Sequence, residues 1–173
     1  MKMFPYGPAV LRLALGAVFA AHGAQKLFSI WGGGGPAETA AFFSSLGLDR
    51  WLIPVFTAGG LDATLAALTL AVFVGTLEFA GGLLLLVGLA TRWVAALLAI
   101  EMGVATFKAH LPHGFFMNWA VAPGVGHGVE MTLVLIGALV CLLFTGAGAL
   151  SIDDRRQATK EAAAFGRARR SRL

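Results

Sequence analysis

Apolar positions run along this chain in long blocks, each broken by one or two ionisable residues. The first block covers residues 8–28. Its segment Arg12 to Phe28, RLALGAVFAAHGAQKLF, is apolar enough for a bilayer yet carries Arg12, His22, Gln25 and Lys26. At about 100° per helical residue, Arg12, Gly16, His22, Gly23 and Lys26 fall within an arc of roughly 120°. An ionisable group at bilayer depth costs a few kcal/mol unless paired or hydrated, so such a stripe is expected to face a bundle interior. Pro8 suits the first turn, where its missing N–H would be unbonded in any case. A cleaved leader is the rival reading, with Ala20, Ala21 and Ala24 as a cleavage site. The length of the apolar run, and Arg12 inside it, favour a retained span.

The remaining blocks predict three more spans. Trp31 and Gly32 to Gly35, followed by Pro36, read as a flexible linker; no Gly-Lys-Ser/Thr follows, so this is not a phosphate loop. Pro36 to Leu46 predicts a short helix ending at Gly47, with Phe42, Phe43 and Leu46 on one side, lying in the membrane interface. Residues 52–89 are almost continuously apolar, broken by Pro54, Gly59-Gly60 and Asp62. A span needs about 20 residues and rarely exceeds 25. Residues 62–89 therefore form the second span, with Asp62 near its N-terminus and Trp51 to Gly60 along or dipping into the surface. Thr91-Arg92 makes a tight connection to a third span over 92–110. A loop to Gly126, bearing Phe115, Phe116 and Trp119, leads to a fourth span over 127–146.

Composition agrees with a membrane class. The chain has 173 residues, is 58% hydrophobic and only 13% charged, with mean hydropathy +0.80; a soluble domain carries about a quarter charged residues. The expected architecture is all-α and integral to the membrane, a four-transmembrane-helix bundle with a short interfacial helix in its first outer loop. Residues 1–150 form that domain and 151–173 a basic tail, partly helical between Asp153 and Phe165. The tail carries seven basic residues against three acidic ones, which places it, and with four spans both termini, on the cytoplasmic side. No recognition motif accompanies the arginines, so nucleic acid is not an expected partner. Anionic lipid headgroups are. The single cysteine, Cys141, excludes an internal disulfide and reads as a small buried apolar residue.

Depth along the helices sorts the charges. Glu78 and Glu101 come out near mid-membrane, and Arg12 roughly 6 Å inside the cytoplasmic end. Lys26, Lys108 and Glu130 fall near the outer end, with His22 a turn deeper than Lys26. Three bases against three acids predict two clusters, Arg12 with Glu78 and Glu101, and Lys26 with Lys108 and Glu130. The candidate site is Arg12, His22, Lys26, Glu78 and Glu101, with Lys108 and Glu130 as an outer charge cluster. Small residues on the same faces would let backbones approach: Gly16 and Gly23, Ala71, Gly75 and Gly82 near Glu78, Gly137 and Cys141 with Glu130. Two uses stay open, a working site or pairs that only fix helix register; His22 alone also fits a satisfied interior histidine. His110, His113, His127 and Glu130 have a ligand-like spacing, but Pro112 interrupts the first pair and no metal is expected. Haem, flavin and iron–sulfur ligand sets are absent from the sequence, as are nucleophilic triads and dinucleotide fingerprints.

The ordered motifs carry a resemblance. His22-Gly23-x-x-Lys26-Leu27-Phe28, Gly35-Pro36 and Phe42 to Gly47 are followed by Glu78-x-x-Gly81-Gly82-Leu83-Leu84-Leu85-Leu86-x-Gly88 and Thr91-Arg92. Lys108 with Gly114-Phe115-Phe116, Gly128-x-Glu130 and a Gly-x-Gly-x-x-Ser-x-Asp ending at Asp153 complete the set. Together they resemble the DoxX family. The resemblance implies a small multi-pass protein of the bacterial cytoplasmic (inner) membrane with four helices. Members look like subunits of redox assemblies, some similar to the membrane part of thiosulfate:quinone oxidoreductase, others to a scaffold joining a superoxide-detoxifying enzyme to a sulfurtransferase. This chain departs in a longer stretch between Gly47 and Glu78 and in Ala147 where a proline is common. The implied function is a quinone-linked redox subunit in which Arg12, His22 or Lys26 bonds a quinone carbonyl and Glu78 or Glu101 exchanges protons, with electrons from partner subunits or a soluble donor. A non-catalytic membrane anchor is the alternative. A small-solute or proton carrier is a further one, though four helices without an internal repeat make a sparse transporter.

Overall fold

The structure, a computed structural model, describes residues 6–60 and 62–170; side chains at 49, 51–53, 56 and 168–170 stand outside that description, as do the expectations placed on Lys2 and Arg172. The regular structure among the described residues is all helical, without strands. Helix α1 is Tyr6–Phe28, with Pro8 in its first turn, and α2 is Gly35–Ser45. Helix α3 is Leu48–Thr57 and α4 is Ala63–Val87. Helix α5, Thr91–Ala105, runs on through a π turn (Thr106–His110) and a 3-10 turn (Leu111–His113). Helix α6 is Glu130–Thr145 and α7 is Ile152–Arg170.

Three of these stretches, Tyr6–Phe28, Ala63–Val87 and Thr91–His113, are long and apolar enough to cross a membrane. The chain is a multi-pass membrane protein whose exposed apolar faces contact lipid. Helix α6 has 16 residues, roughly 24 Å, against a hydrocarbon core of about 30 Å. It starts three residues later than its composition suggests because the preceding residues are used elsewhere. Gly128, Val129 and Glu130 donate their N–H groups to the carbonyls of Phe116, Gly114 and Phe115, closing the loop instead of lengthening the helix.

Local chemistry sets the boundaries. The Asp62 carboxylate accepts from Leu65 N–H at 2.7 Å, the N-cap bond that satisfies a first-turn donor. Helix α4 ends on Gly88 at φ 67°, with Leu89 N–H returning to Leu84 O, a left-handed stop that suits a residue without Cβ. The turn this creates reverses the chain into α5. Around it, α1 lies antiparallel against α4, α5 packs on α4 and α6, and α6 closes onto α1. The core is Leu15, Phe19, Leu85, Val94, Ala95, Leu98, Met102, Leu139 and Leu142.

The first loop differs from expectation. Helix α2 buries Ala40 and Phe43 against Ala67, Leu70 and Ala71 of α4, leaving Phe42 outside; it caps the bundle rather than resting one whole side in the interface. Residues 51–60, expected along the surface, are largely α3, which packs on α4 and α2. Pro54 lies within it. The glycine linker is not loose either. Gln25 Nε2 donates to Trp31 O at 3.0 Å and Gly33 N–H to Ile30 O at 3.0 Å, folding the linker back on α1. Helix α7 is longer than the predicted tail helix, and Ser151 Oγ caps it by accepting from Asp154 N–H at 3.1 Å.

Candidate functional site

Glycines decide how the charges on α1 and α4 meet. Gly16 faces Gly82 and Leu86, and Gly23 faces Gly75 and Phe79, so closely that a Cβ at Gly16 would sit 2.8 Å from the Gly82 carbonyl oxygen. Two glycines seven residues apart on each helix thus stack on one antiparallel seam, where backbones touch. The sequence identified these faces correctly. With the backbones this near, polar side chains rooted on the seam have to meet one another.

The Lys26 ammonium forms a salt bridge with the Glu78 carboxylate, whose side chain is 3% exposed. Glu101 lies beside Glu78 and within electrostatic reach of Lys26. Lys26, Glu78 and Glu101 therefore form a row of one basic and two acidic side chains. The Glu101 Oε2 atom is buried and has no hydrogen-bond partner among the described residues. His22, exposed on α1, interacts electrostatically with Lys26 and Glu78.

A cleft of about 290 Å³ opens above this chain. His22, Gln25 and Lys26 line it from α1, Gly32, Gly33 and Gly34 from the linker, and Glu38, Thr39 and Phe42 from α2. Thr39 Oγ1 is tied to Gly35 O at 2.8 Å. The α2 and linker residues escaped the sequence reading. The glycine run was the only signal for them, and it marks a wall, not a tether.

Arg12 sits apart. It is 1% exposed and donates only to backbone carbonyls: Nε to Ala147 O at 3.0 Å, Nη1 to Leu85 O at 2.9 Å and to Leu86 O, and Nη2 to Leu150 O at 2.7 Å and Ala149 O at 3.4 Å. The predicted pairing of Arg12 with Glu78 and Glu101 is therefore corrected. Its fork closes the ends of α4 and α6, where helix carbonyls lack partners. Beside it, the Asp153 carboxylate accepts from Ala90 N–H (3.0 Å) and Thr91 N–H (2.9 Å), and Asp153 N–H donates to Gly88 O (2.9 Å). Arg12 and Asp153 are a structural knot.

Of the outer group, Lys26 is placed elsewhere. Lys26 goes to Glu78, and the Glu130 Oε2 atom accepts from Met117 N–H at 3.0 Å, holding the loop before α6. Lys108 is half-buried in the π turn. His110 Nδ1 lies 2.9 Å from His127 O, and His127 Nδ1 accepts from Asn118 N–H at 3.2 Å. Cys141 is exposed rather than buried, and nothing lies within 4 Å of a Cβ placed on Gly137; both point away from the bundle.

The site fits a ligand with a hydrogen-bonding carbonyl or hydroxyl head. His22 and Lys26 stand at the cleft, with the Glu78 and Glu101 carboxyl groups behind them, and Glu101 Oε2 lacks a partner among the described residues.

The model of the DoxX family matches residues 7–111, which include Arg12, His22, Lys26, Glu78 and Glu101. An uncharacterized protein of Haemophilus influenzae is 27% identical over 154 residues, covering 89% of this chain and 93% of that protein. A Bacillus subtilis protein described as "Putative oxidoreductase CatD" is 29% identical over 152 residues, 88% of each chain. No solved structure matches.

Proposed function

We propose that this chain, which belongs to the DoxX family, is the membrane subunit of a redox assembly in a bacterial cytoplasmic membrane, and that its cleft receives the head group of a quinone. The observation that carries this reading is the cleft itself, lined by Lys26, whose ammonium bonds Glu78 with Glu101 close behind. The name of the Bacillus subtilis relative supports a redox role.

A quinone takes up two electrons and two protons on reduction to a quinol, with the electrons drawn from a reduced partner protein. The chain's own residues manage position and protons. His22 offers a hydrogen bond to a carbonyl oxygen from the cleft wall, and the Lys26 ammonium polarises the same end of the head group. Lys26 would pass one of the two protons into the cleft and be recharged from the Glu78 and Glu101 carboxyl groups, and the second proton would come from water at the open mouth of the cleft. Proton donors must stand within hydrogen-bond reach of the atom they serve; in support, Lys26 both lines the cleft and bonds Glu78.

A second reading, a non-catalytic anchor, draws on α7. The helix is fixed at its root by Asp153 and presents Arg155, Arg156 and Lys160 to its surroundings, a basic surface suited to a partner or to anionic lipid. One experiment separates the two. The full chain is purified in mild detergent, co-purifying lipids and quinones are identified by mass spectrometry, and binding of a short-chain benzoquinone is measured. We expect retained quinone, and a loss of affinity of about tenfold or more in Lys26→Gln and Glu78→Gln, the size of one good charged hydrogen bond. Wild-type protein that neither retains nor binds quinone ends the proposal in favour of the anchor.

A further inference from the structure

The walls of the cleft differ in kind. Helix α1 lines it with His22, Gln25 and Lys26, all hydrogen-bonding groups, and the linker lines it with glycines, which bring no side chain. Helix α2 adds Glu38, Thr39 and Phe42. Phe42 stands three and four residues beyond the other two, so the three share one face of that helix. Phe42 is the one apolar side chain among the described lining residues.

Packing elsewhere sets its place. Phe43 and Ala40 are buried against Ala67, Leu70 and Ala71, which fixes the rotation of α2 about its axis. Phe42 lies about 100° round from Phe43 and is turned out of that contact, 52% exposed. The two rings still meet, with centroids 6.2 Å apart and planes tilted by 45°, inside the range of interacting aromatic pairs. The buried ring thus braces the exposed one, and a braced side chain has little freedom left to lose when a ligand settles on it.

Ligand sites combine a few placed polar groups with apolar or aromatic surface that takes the body of the ligand. In this cleft the α1 groups answer the oxygens of a head group, and the Phe42 ring is the surface left for its flat body. The face of a phenyl ring is negative, so it attracts an electron-poor conjugated ring. We infer that Phe42 is the ring-binding residue of the cleft: a planar quinonoid head stacks on it while an oxygen reaches His22 and Lys26, and the cleft thereby selects flat heads over puckered ketones with the same carbonyls. This rests on the quinone reading and narrows the class of ligand.

The test uses the full chain in lipid nanodiscs, titrated with a fully substituted short-chain benzoquinone and, separately, with cyclohexane-1,4-dione, which keeps both carbonyls but has no π face. Empty nanodiscs correct for partition into lipid. Wild type is compared with Phe42→Leu, Phe42→Tyr and Phe144→Leu, the last removing an exposed phenylalanine of α6 outside the cleft. Wild type is expected to prefer the benzoquinone over the dione. Phe42→Leu should weaken benzoquinone binding about two- to tenfold, the size of one aromatic contact, and narrow that preference. Phe42→Tyr and Phe144→Leu should stay within about twofold of wild type. Unchanged benzoquinone affinity in Phe42→Leu, as a ring turned only to lipid would give, overturns the inference and leaves the quinone reading standing. An equal loss in Phe42→Leu and Phe42→Tyr, or equal binding of the two ligands by wild type, overturns it in the same way. Wild type that binds no benzoquinone removes the quinone reading and this inference with it.

Discussion

Lys26 and Glu78 pair across a depth difference that Cα positions alone would forbid. Gly16 lies against Gly82 and Gly23 against Gly75, which puts Lys26 level with Val72, six residues or about 9 Å from Glu78 along the axis. Helical side chains lean toward their own N-terminus. In an antiparallel pair these two therefore lean toward each other, and the long lysine closes the gap. Removing one partner leaves a buried charge uncompensated, a cost of about 3–5 kcal/mol, whereas replacing both with apolar residues is close to neutral. Lys26→Met should accordingly lower the detergent-solubilised melting temperature sharply, and Lys26→Met with Glu78→Met should recover most of that loss while still failing to bind quinone. A single variant that melts like wild type would mean that the pair is not buried as described. The same geometry explains what was legible at this scale. The charged stripe on α1 could be read from spacing, but its partners could not. Depth counted by Cα ignores side-chain lean, and matching acids to bases ignores that an arginine has five N–H donors, which Arg12 spends on carbonyls.

Among the helices, the α1–α4 seam sets the site, because the cleft, the ion pair and the glycine contacts all hang on it. A Cβ at Gly82 would run into the Ala20 backbone, and neither helix can yield without the other. Gly82→Leu should cost about 1–3 kcal/mol or more through overpacking and should weaken quinone binding by separating Lys26 from Glu78. Gly137→Leu, on the lipid face of α6 with nothing within 4 Å of its Cβ, should leave melting and binding unchanged. Equal effects from the two would show that the seam is not tightly packed. The contrast marks how far helix faces can be read from sequence. On α1 and α4 the glycines recur with the ionisable residues, so periodicity identifies the buried side. Helix α6 beyond Glu130 is apolar all round, and such a pattern fixes no orientation; the residues it turns inward are Thr132, Leu139 and Leu142. Helix α3 was hidden by Pro54 and by Gly59-Gly60, which read as breaks although the proline is accommodated inside the helix.

For the molecule as a whole, the two ends of the bundle carry different chemistry, and this gives the cleft a side. One end gathers Arg12, the α4–α5 turn with Arg92 against Gly146, and the root of α7. The other holds the cleft, Glu38 and a loop whose exposed Phe115, Phe116 and Trp119 suit a membrane interface. Basic residues flanking spans favour the cytoplasm, so the α7 end is expected there and the cleft on the far side. Cysteine labelling tests it: Cys141 is removed by Cys141→Ala, and Thr159→Cys or Trp119→Cys is introduced in turn. A membrane-impermeant maleimide should react with the Trp119→Cys protein in intact spheroplasts, and with the Thr159→Cys protein only after the membrane is opened. The orientation also sets the direction of proton traffic. On the proposed quinone reading, with the cleft outward, a proton that Lys26 passes to the head group would be replaced from Glu78 and Glu101 in the membrane, and protons freed from a quinol would leave outward. Labelling of the Thr159→Cys protein in intact spheroplasts would reverse the bundle and make the cytoplasm the proton reservoir, a different coupling from the same set of side chains.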